Sequence, residues 1–259
     1  MDFPDVDYLC DLAIEAGDII RDYFGRTKAD LKEDRTPVTI ADTTINQMVI
    51  DSISRDFPNI SVIAEEGNHK VKNAEYRVLC DPMDGTLPFI WDIPIASFCI
   101  AVVRDSTPIA GVIYDPFQDR MWHAGKGEGA FLDENLIEVS QCSLLADSAI
   151  CMSWWKNTKY NLHEVCAKLM AEGANWFNPA SIAYAGGLLA MGKIDATIFP
   201  GQNGWETAAM QVIVQEAGGK VTDIFGQEMV YSPEGDISGH IISNGLLHDE
   251  LVALVKSCQ

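Results

Sequence analysis

The sequence predicts a mixed α/β chain, α+β in character up to about residue 145 and α/β beyond it. Three observations carry this expectation. Apolar residues recur at helical spacing in two segments before residue 57. Between 95 and 132 the pattern changes to short β-type runs broken by glycine and proline. After about residue 147 helical and strand patterns alternate.

The elements follow in order. Leu9, Ala13, Ala16, Ile20 and Phe24 predict a helix over 6–24. The polar stretch RTKADLKEDRTP (26–37) reads as a loop. Ile45, Val49 and Ile53 predict a second helix over 42–56, and ISVIA (60–64) and YRVLC (76–80) read as strands. IASFCIAVV, IAGVIYDP, DRMWHAG and GAFL then form an antiparallel meander. In the second half, AICMS, DATIF and HIISN are strands, and 160–171, 181–191, 205–217 and LLHDELVALVKS are helices. No repeat, low-complexity tract or linker-like segment separates residues 1–145 from 146–259. The two parts are expected to pack closely, with a cleft between them as the default site.

The balance of charge narrows the function classes. Among 259 residues, 38 acidic against 18 basic side chains give a net charge of −20. Such a surface repels nucleic acid and anionic lipid, so neither is an expected partner. The longest apolar run, PFIWDIPIASFCIAVV, contains an aspartate and two prolines and is a poor membrane span. The chain opens MDFPDVD, without a signal-peptide pattern. Its seven cysteines are scattered with no CxxC, which fits reduced thiols in the cytoplasm.

Four short segments carry carboxylates: TPVTIADTTIN with Asp42, IAEEG with Glu65 and Glu66, CDPMDGT with Asp81 and Asp84, and GWETAAM with Glu206. Taken singly, three have ordinary explanations as a helix cap, a solvated pair and a charge facing a helix dipole. CDPMDGT is different, because it places two aspartates at the end of a core strand, where uncompensated charge is costly. The proline stiffens the turn so that both side chains can point to one side. Two carboxylates and the Met83 carbonyl, whose side chain is nearly free to vary, make an oxygen donor set suited to Mg²⁺. Gly85 permits close backbone approach, and Thr86 can open a short helix whose N–H groups receive phosphate.

Competing motifs are missing. There is no G-x-S-x-G, H-E-x-x-H or G-x-x-x-x-G-K-[ST], and the five histidines do not cluster. GKGEGAF (125–131) has the wrong spacing for a dinucleotide fingerprint and reads as a β-turn. A phospho-aspartate of the D-x-D-G-T kind is excluded, because Pro82 stands two residues before Asp84.

With DPMDGT, AEEG, PVTIAD and WETAAMQVIVQEAGG in this order, nearly the whole chain resembles the inositol monophosphatase family, Mg²⁺-dependent and lithium-sensitive phosphatases. The resemblance implies alternating α/β/α/β/α layers, a homodimer, and two or three Mg²⁺ ions. It implies that Glu65, Asp81, the Met83 carbonyl, Asp84 and Glu206 hold metal. Asp42 and Thr86, with Glu65, orient the attacking water. The backbone of Asp84, Gly85 and Thr86, together with Ser181 and Glu206, meets the substrate. Lys32 falls in the family's metal-site loop. The implied chemistry is hydrolysis of a small polyol or sugar phosphate by metal-activated water, with no covalent intermediate.

Two departures stand out. The family has Trp-Asp where this chain has Trp205-Glu206, and no carboxylate lies between Asp195 and Glu206, where inositol-specific members carry one. Gln202 and Asn203 are the polar groups present instead. Histidinol phosphate and fructose 1,6-bisphosphate therefore stand as alternative substrates. A weakly active regulatory relative that binds metal and anion is the alternative of another class.

Overall fold

The computed structural model describes residues 2–32, 36–154 and 158–258. Helix α1 (Val6–Tyr23) begins where Asp5 accepts the Tyr8 N–H, and buries Leu9, Leu12, Ala13, Ala16 and Ile20 along one face. The stretch read as a loop contains a small antiparallel hairpin, β1 (Asp30–Leu31) with β2 (Pro37–Val38); positions 33–35 of that stretch lie outside the described residues. Helix α2 (Ile40–Asp56) starts two residues earlier than expected. Thr39 caps it, and Asp42 returns a bond to the Thr39 backbone in a capping box.

Eight strands form the larger sheet: β3 (Ser61–Ala64), β4 (Gly67–His69), β5 (Tyr76–Asp84), β6 (Ser97–Arg104), β7 (Thr107–Asp115), β8 (Arg120–Gly125), β9 (Gly129–Leu132) and β10 (Asn135–Leu136). Their order is β10-β9-β8-β7-β6-β5-β3-β4, antiparallel except for the parallel β3–β5 pair. The expected meander is β6 through β9. Its glycine-rich turn is a hairpin end whose Gly127 and Gly129 N–H groups both donate to the Glu216 carboxylate at 2.9 Å. Between β5 and β6 the chain makes the short helix α3 (Thr86–Ile90).

The smaller sheet has the order β12-β11-β13-β15-β14, from β11 (Ala149–Met152), β12 (Asn175–Phe177), β13 (Ala196–Phe199), β14 (Lys220–Thr222) and β15 (His240–Ser243). Its helices are α4 (His163–Ala171), α5 (Ile182–Ala190), α6 (Trp205–Glu216) and α7 (His248–Lys256).

These elements stack in five layers. Helices α1 and α2 cover one face of the large sheet around Ile45, Val49, Phe98 and Val112. Helices α5 and α6 fill the space between the sheets, and α4 and α7 cover the far face of the small sheet around Leu169, Ile198, Ile241 and Leu251. Because α6 is enclosed on all sides, Thr207 through Val214 are all buried, and its apolar character runs around the whole helix. Gly111 lets it close on β7: a Cβ there would lie 2.6 Å from Val212 and 2.9 Å from the Ala209 Cα.

Two neutral histidines tie the small sheet to its helices. His240 Nδ1 meets the Thr207 hydroxyl at 2.9 Å and its Nε2 the Thr197 hydroxyl at 3.1 Å, linking β15, α6 and β13. His248 joins Ser243 and Thr222 in the same way, at 2.9 and 3.1 Å. Burial lowers the His240 pKa from 6.5 to about 3. Below pH 6.5 the unfolded chain therefore binds a proton that the folded chain refuses, and this contribution to stability is lost as pH falls toward 3. In urea unfolding, the stability advantage of wild type over His240→Gln should shrink by about 2–3 kcal/mol between pH 7.5 and 4.5. A gap independent of pH would show that His240 takes up its proton as readily in the fold as in the unfolded chain. Among the described residues, no helix is long and apolar enough to cross a membrane.

Candidate metal centre and active site

Strand β5 runs apolar from Val78, with Val78, Leu79 and Cys80 fully buried, and its last residue, Asp84, pairs with Ser97 of β6 after a break in the ladder. The pairing slips between Asp81 and Asp84, opening the sheet at the seam where α5 and α6 arrive. The Asp81 Oδ1 accepts the Met83 N–H at 2.9 Å, which shapes the turn. Gly85 follows at φ +105°, and a Cβ there would lie 2.9 Å from the Ile95 carbonyl oxygen and 3.2 Å from the Ser181 Cβ. Both the conformation and the space demand glycine, and the close neighbour is protein.

Carboxylate oxygens of Asp81, Asp84 and Glu206 all lie within 4.8 Å of one another. Glu206 comes from the first turn of α6, and its Oε2 is fully buried with no hydrogen-bond partner. Burial, reinforced by the charges of Glu65, Asp84 and Glu206, raises the Asp81 pKa well above the ordinary carboxylate range. Burial likewise raises Asp84 to about 7, against the pull of its bonds to Ser181 and Ala183. Glu206 is raised well above its usual value by burial and then by Asp84 and Glu65. Three hard oxygen donors, mutually repelling and with an orphaned buried oxygen among them, fit a hard divalent cation. The cluster could bind a metal ion.

Around the trio stand the other residues singled out by sequence. Asp42 is buried; its Oδ2 accepts the Thr39 hydroxyl at 2.6 Å, and its Oδ1 faces the Thr86 hydroxyl at 3.3 Å. The Thr86 hydroxyl is also 3.3 Å from the Met83 carbonyl oxygen, so one threonine touches both. Glu65 is turned toward Lys32, whose Nζ lies 2.7 Å from its Oε1 and also bridges to Glu66. Burial works against the Lys32 ammonium, but the two glutamates outweigh it and hold its pKa above the ordinary lysine value.

A model of the inositol monophosphatase family matches residues 4–259. The chain belongs to this family. A histidinol-phosphatase of Mycobacterium tuberculosis is 30% identical over 95% of this chain and 95% of its own. A fructose-1,6-bisphosphatase/inositol-1-monophosphatase of Thermotoga maritima is 29% identical over 97% and 95%. Among solved structures, a Thermotoga maritima IMPase superposes with a TM-score of 0.86 at 27% identity, covering 97% of this chain and 96% of that one. Members of the inositol monophosphatase family are metal-dependent phosphatases acting on small phosphorylated compounds, and this chain is a phosphoric monoester hydrolase of that kind. The five-layer order found here is the one expected of the family.

The structure corrects several details of the site. The Met83 side chain is not free to vary: it is fully buried in the core under α1 and α2, because β5 continues through Asp84 and turns it inward. Ser181, which the resemblance implied as a substrate contact, lies buried at the start of α5. It caps α5, is 1% exposed, and donates to the Asp84 Oδ2 at 2.6 Å. Gln202 and Asn203 are exposed at the surface, where Asn203 bridges Asp236. Thr39 and Ser97, which join this network, gave no signal in the sequence beyond their polarity.

Proposed function

We propose that this phosphatase is a Mg²⁺-dependent phosphomonoesterase that hydrolyses a small polyol or sugar phosphate. The observation that carries the reading is the Asp81–Asp84–Glu206 trio, with its orphaned oxygen, beside the Thr86–Asp42 pair. In this reading residues 1–145 contribute Asp42, Glu65, Asp81, the Met83 carbonyl and Asp84, and residues 146–259 contribute Ser181 and Glu206. Glu65 joins the metal donors when Lys32 releases it. Two or three bound Mg²⁺ ions would neutralise these carboxylates, lower the pKa of water and supply positive charge for phosphoryl oxygens.

The chain's own groups do the rest. Asp42, fixed by its capping bonds, accepts the Thr86 proton, which leaves the Thr86 oxygen free to accept from the attacking water and aim it. Glu65 takes the second side of that water. The first turn of α3 offers backbone N–H groups at Gly85 and Thr86 to phosphate oxygens. Water oxygen bonds to phosphorus and gives up a proton to the surrounding water, the ester P–O bond breaks, and the departing alkoxide takes up a proton from that same solvent. Positioning and charge provide the acceleration, without a covalent phospho-enzyme. The same reading places the enzyme in the cytoplasm as a homodimer; scattered cysteines without a CxxC pair support the compartment, and the family resemblance supports the dimer.

A second substrate reading, histidinol phosphate, is favoured by the name of the Mycobacterium relative. Phosphate release should be measured on inositol 1-phosphate, histidinol phosphate, fructose 1,6-bisphosphate, adenosine 3′,5′-bisphosphate and glycerol 2-phosphate, with and without Mg²⁺. We expect Mg²⁺-dependent turnover on the polyol or sugar phosphates. Preference for histidinol phosphate would replace the first substrate reading with the second. No release from any compound at millimolar Mg²⁺ would refute both and favour a regulatory role.

A further inference from the structure

Asp84 is held by the start of α5. Its Oδ2 accepts the Ser181 hydroxyl and the Ala183 N–H, each at 2.6 Å, and is thereby committed to the first turn of α5. The Ile182 N–H of the same turn adds a further bond to this carboxylate, and one Asp84 oxygen lies within 4.8 Å of oxygens of Asp81 and Glu206. Behind Ser181, the Ser97 hydroxyl lies 3.1 Å away on β6, and the Tyr184 N–H reaches the Ser181 oxygen at 3.3 Å. An ionised carboxylate only accepts, so the Ser181 proton goes to Asp84 and Ser97 must donate to Ser181. The direction of the chain is fixed: Ser97 to Ser181 to Asp84. Both serines are buried, at 0% and 1% exposure. Gly85 packs against the Ser181 Cβ and keeps it beside the turn that carries Asp84.

The geometry points to Ser181, backed by Ser97, as a positioning residue that holds the Asp84 carboxylate in the orientation a cation requires. This assignment rests on the metal reading above and replaces the substrate contact that the family resemblance implied for Ser181. A flexible carboxylate with both oxygens free would pay rotational entropy on binding a cation. One anchored by a serine donor and a helix N-terminus has paid it on folding. Hydrogen bonds of this kind to a ligating group govern metal affinity as well as the ligand's own charge does.

Ser181 also caps α5, and a cap alone would affect stability only. Ser181→Gly separates the two roles, because glycine is a serviceable cap but offers no donor. Mg²⁺ binding to the full chain should be followed by calorimetry for wild type, Ser181→Gly, Ser97→Ala and the double variant, with metal-free melting alongside. We expect Ser181→Gly to weaken Mg²⁺ binding about tenfold or more with little change in the metal-free melting temperature. Ser97→Ala should weaken binding less in wild type and not at all once Ser181 is glycine. Should Ser181→Gly lose its cooperative melt, Ser181→Cys carries the comparison, since it keeps the shape and weakens the donor. Wild-type affinity in the Ser181 variants, or independent effects of the two serines, would overturn the positioning role while leaving the metal reading intact. Absence of Mg²⁺ binding by wild type itself would overturn both.

Discussion

Asp81→Asn is expected to lower Mg²⁺-dependent phosphate release by about a thousandfold while raising the melting temperature of the metal-free protein at neutral pH. The two effects share one cause. Asp81 is 2% exposed and faces Glu65, Asp84 and Glu206, so in the absence of a cation its charge opposes the fold. Asparagine keeps the oxygen that accepts the Met83 N–H at 2.9 Å, and the turn therefore keeps its shape. It removes the charge that a cation needs, and with it the field that organises the reaction. Activity assays paired with thermal melts, with and without Mg²⁺, test the prediction. A variant that is inactive but also less stable would mean that the carboxylate supports the fold itself. Near-normal turnover would remove Asp81 from the donor set.

Glu206→Asp, which restores the family's Trp-Asp, is expected to reduce turnover by about a hundredfold and to weaken Mg²⁺ binding. The family pattern alone suggests the opposite. The packing decides it. Helix α6 is locked against the large sheet, with Ala209 and Val212 closing on Gly111, so it cannot advance to carry a shorter side chain into the cluster. With glutamate, an oxygen already lies within 4.8 Å of the donors from Asp81 and Asp84. Removing one methylene withdraws it by about 1.5 Å, the length of one C–C bond. Improved activity in Glu206→Asp would show that α6 adjusts, and that the natural glutamate weakens the centre.

How much of this could be read from the sequence depended on how local the cause was. The long helices and the meander were legible because burial of one face imposes a period on their residues. The Asp81–Asp84 pair was legible because CDPMDGT has few other uses for two aspartates at a strand end, whereas Glu206 entered only through the family resemblance. The short strands β4, β10, β12 and β14 were not, since pairing with a neighbour defines them and two or three residues carry no period. Nor was the partner of Ser181. The resemblance offered Ser181 as a substrate contact, and the bond to Asp84 joins residues that only the packing of α5 against β5 brings together. The surroundings of Asp42 were legible only in part. Its place near a helix start suggested the cap, yet Thr39 takes that position and frees one Asp42 oxygen for Thr86.

The donors at 81–84 and at 206 sit on opposite sides of the seam between the sheets, far apart in the chain. Such a centre cannot exist until α6 has docked, which makes it a product of the slowest, most non-local contacts of folding. A cation that needs all three carboxylates has nothing to bind during the early steps. It should therefore leave the refolding rate almost unchanged and act as a brake on unfolding, so that Mg²⁺ lengthens the lifetime of the native state. Stopped-flow refolding and unfolding with and without Mg²⁺ would show this directly, and a metal-accelerated refolding limb would mean that the carboxylates gather before the layers close.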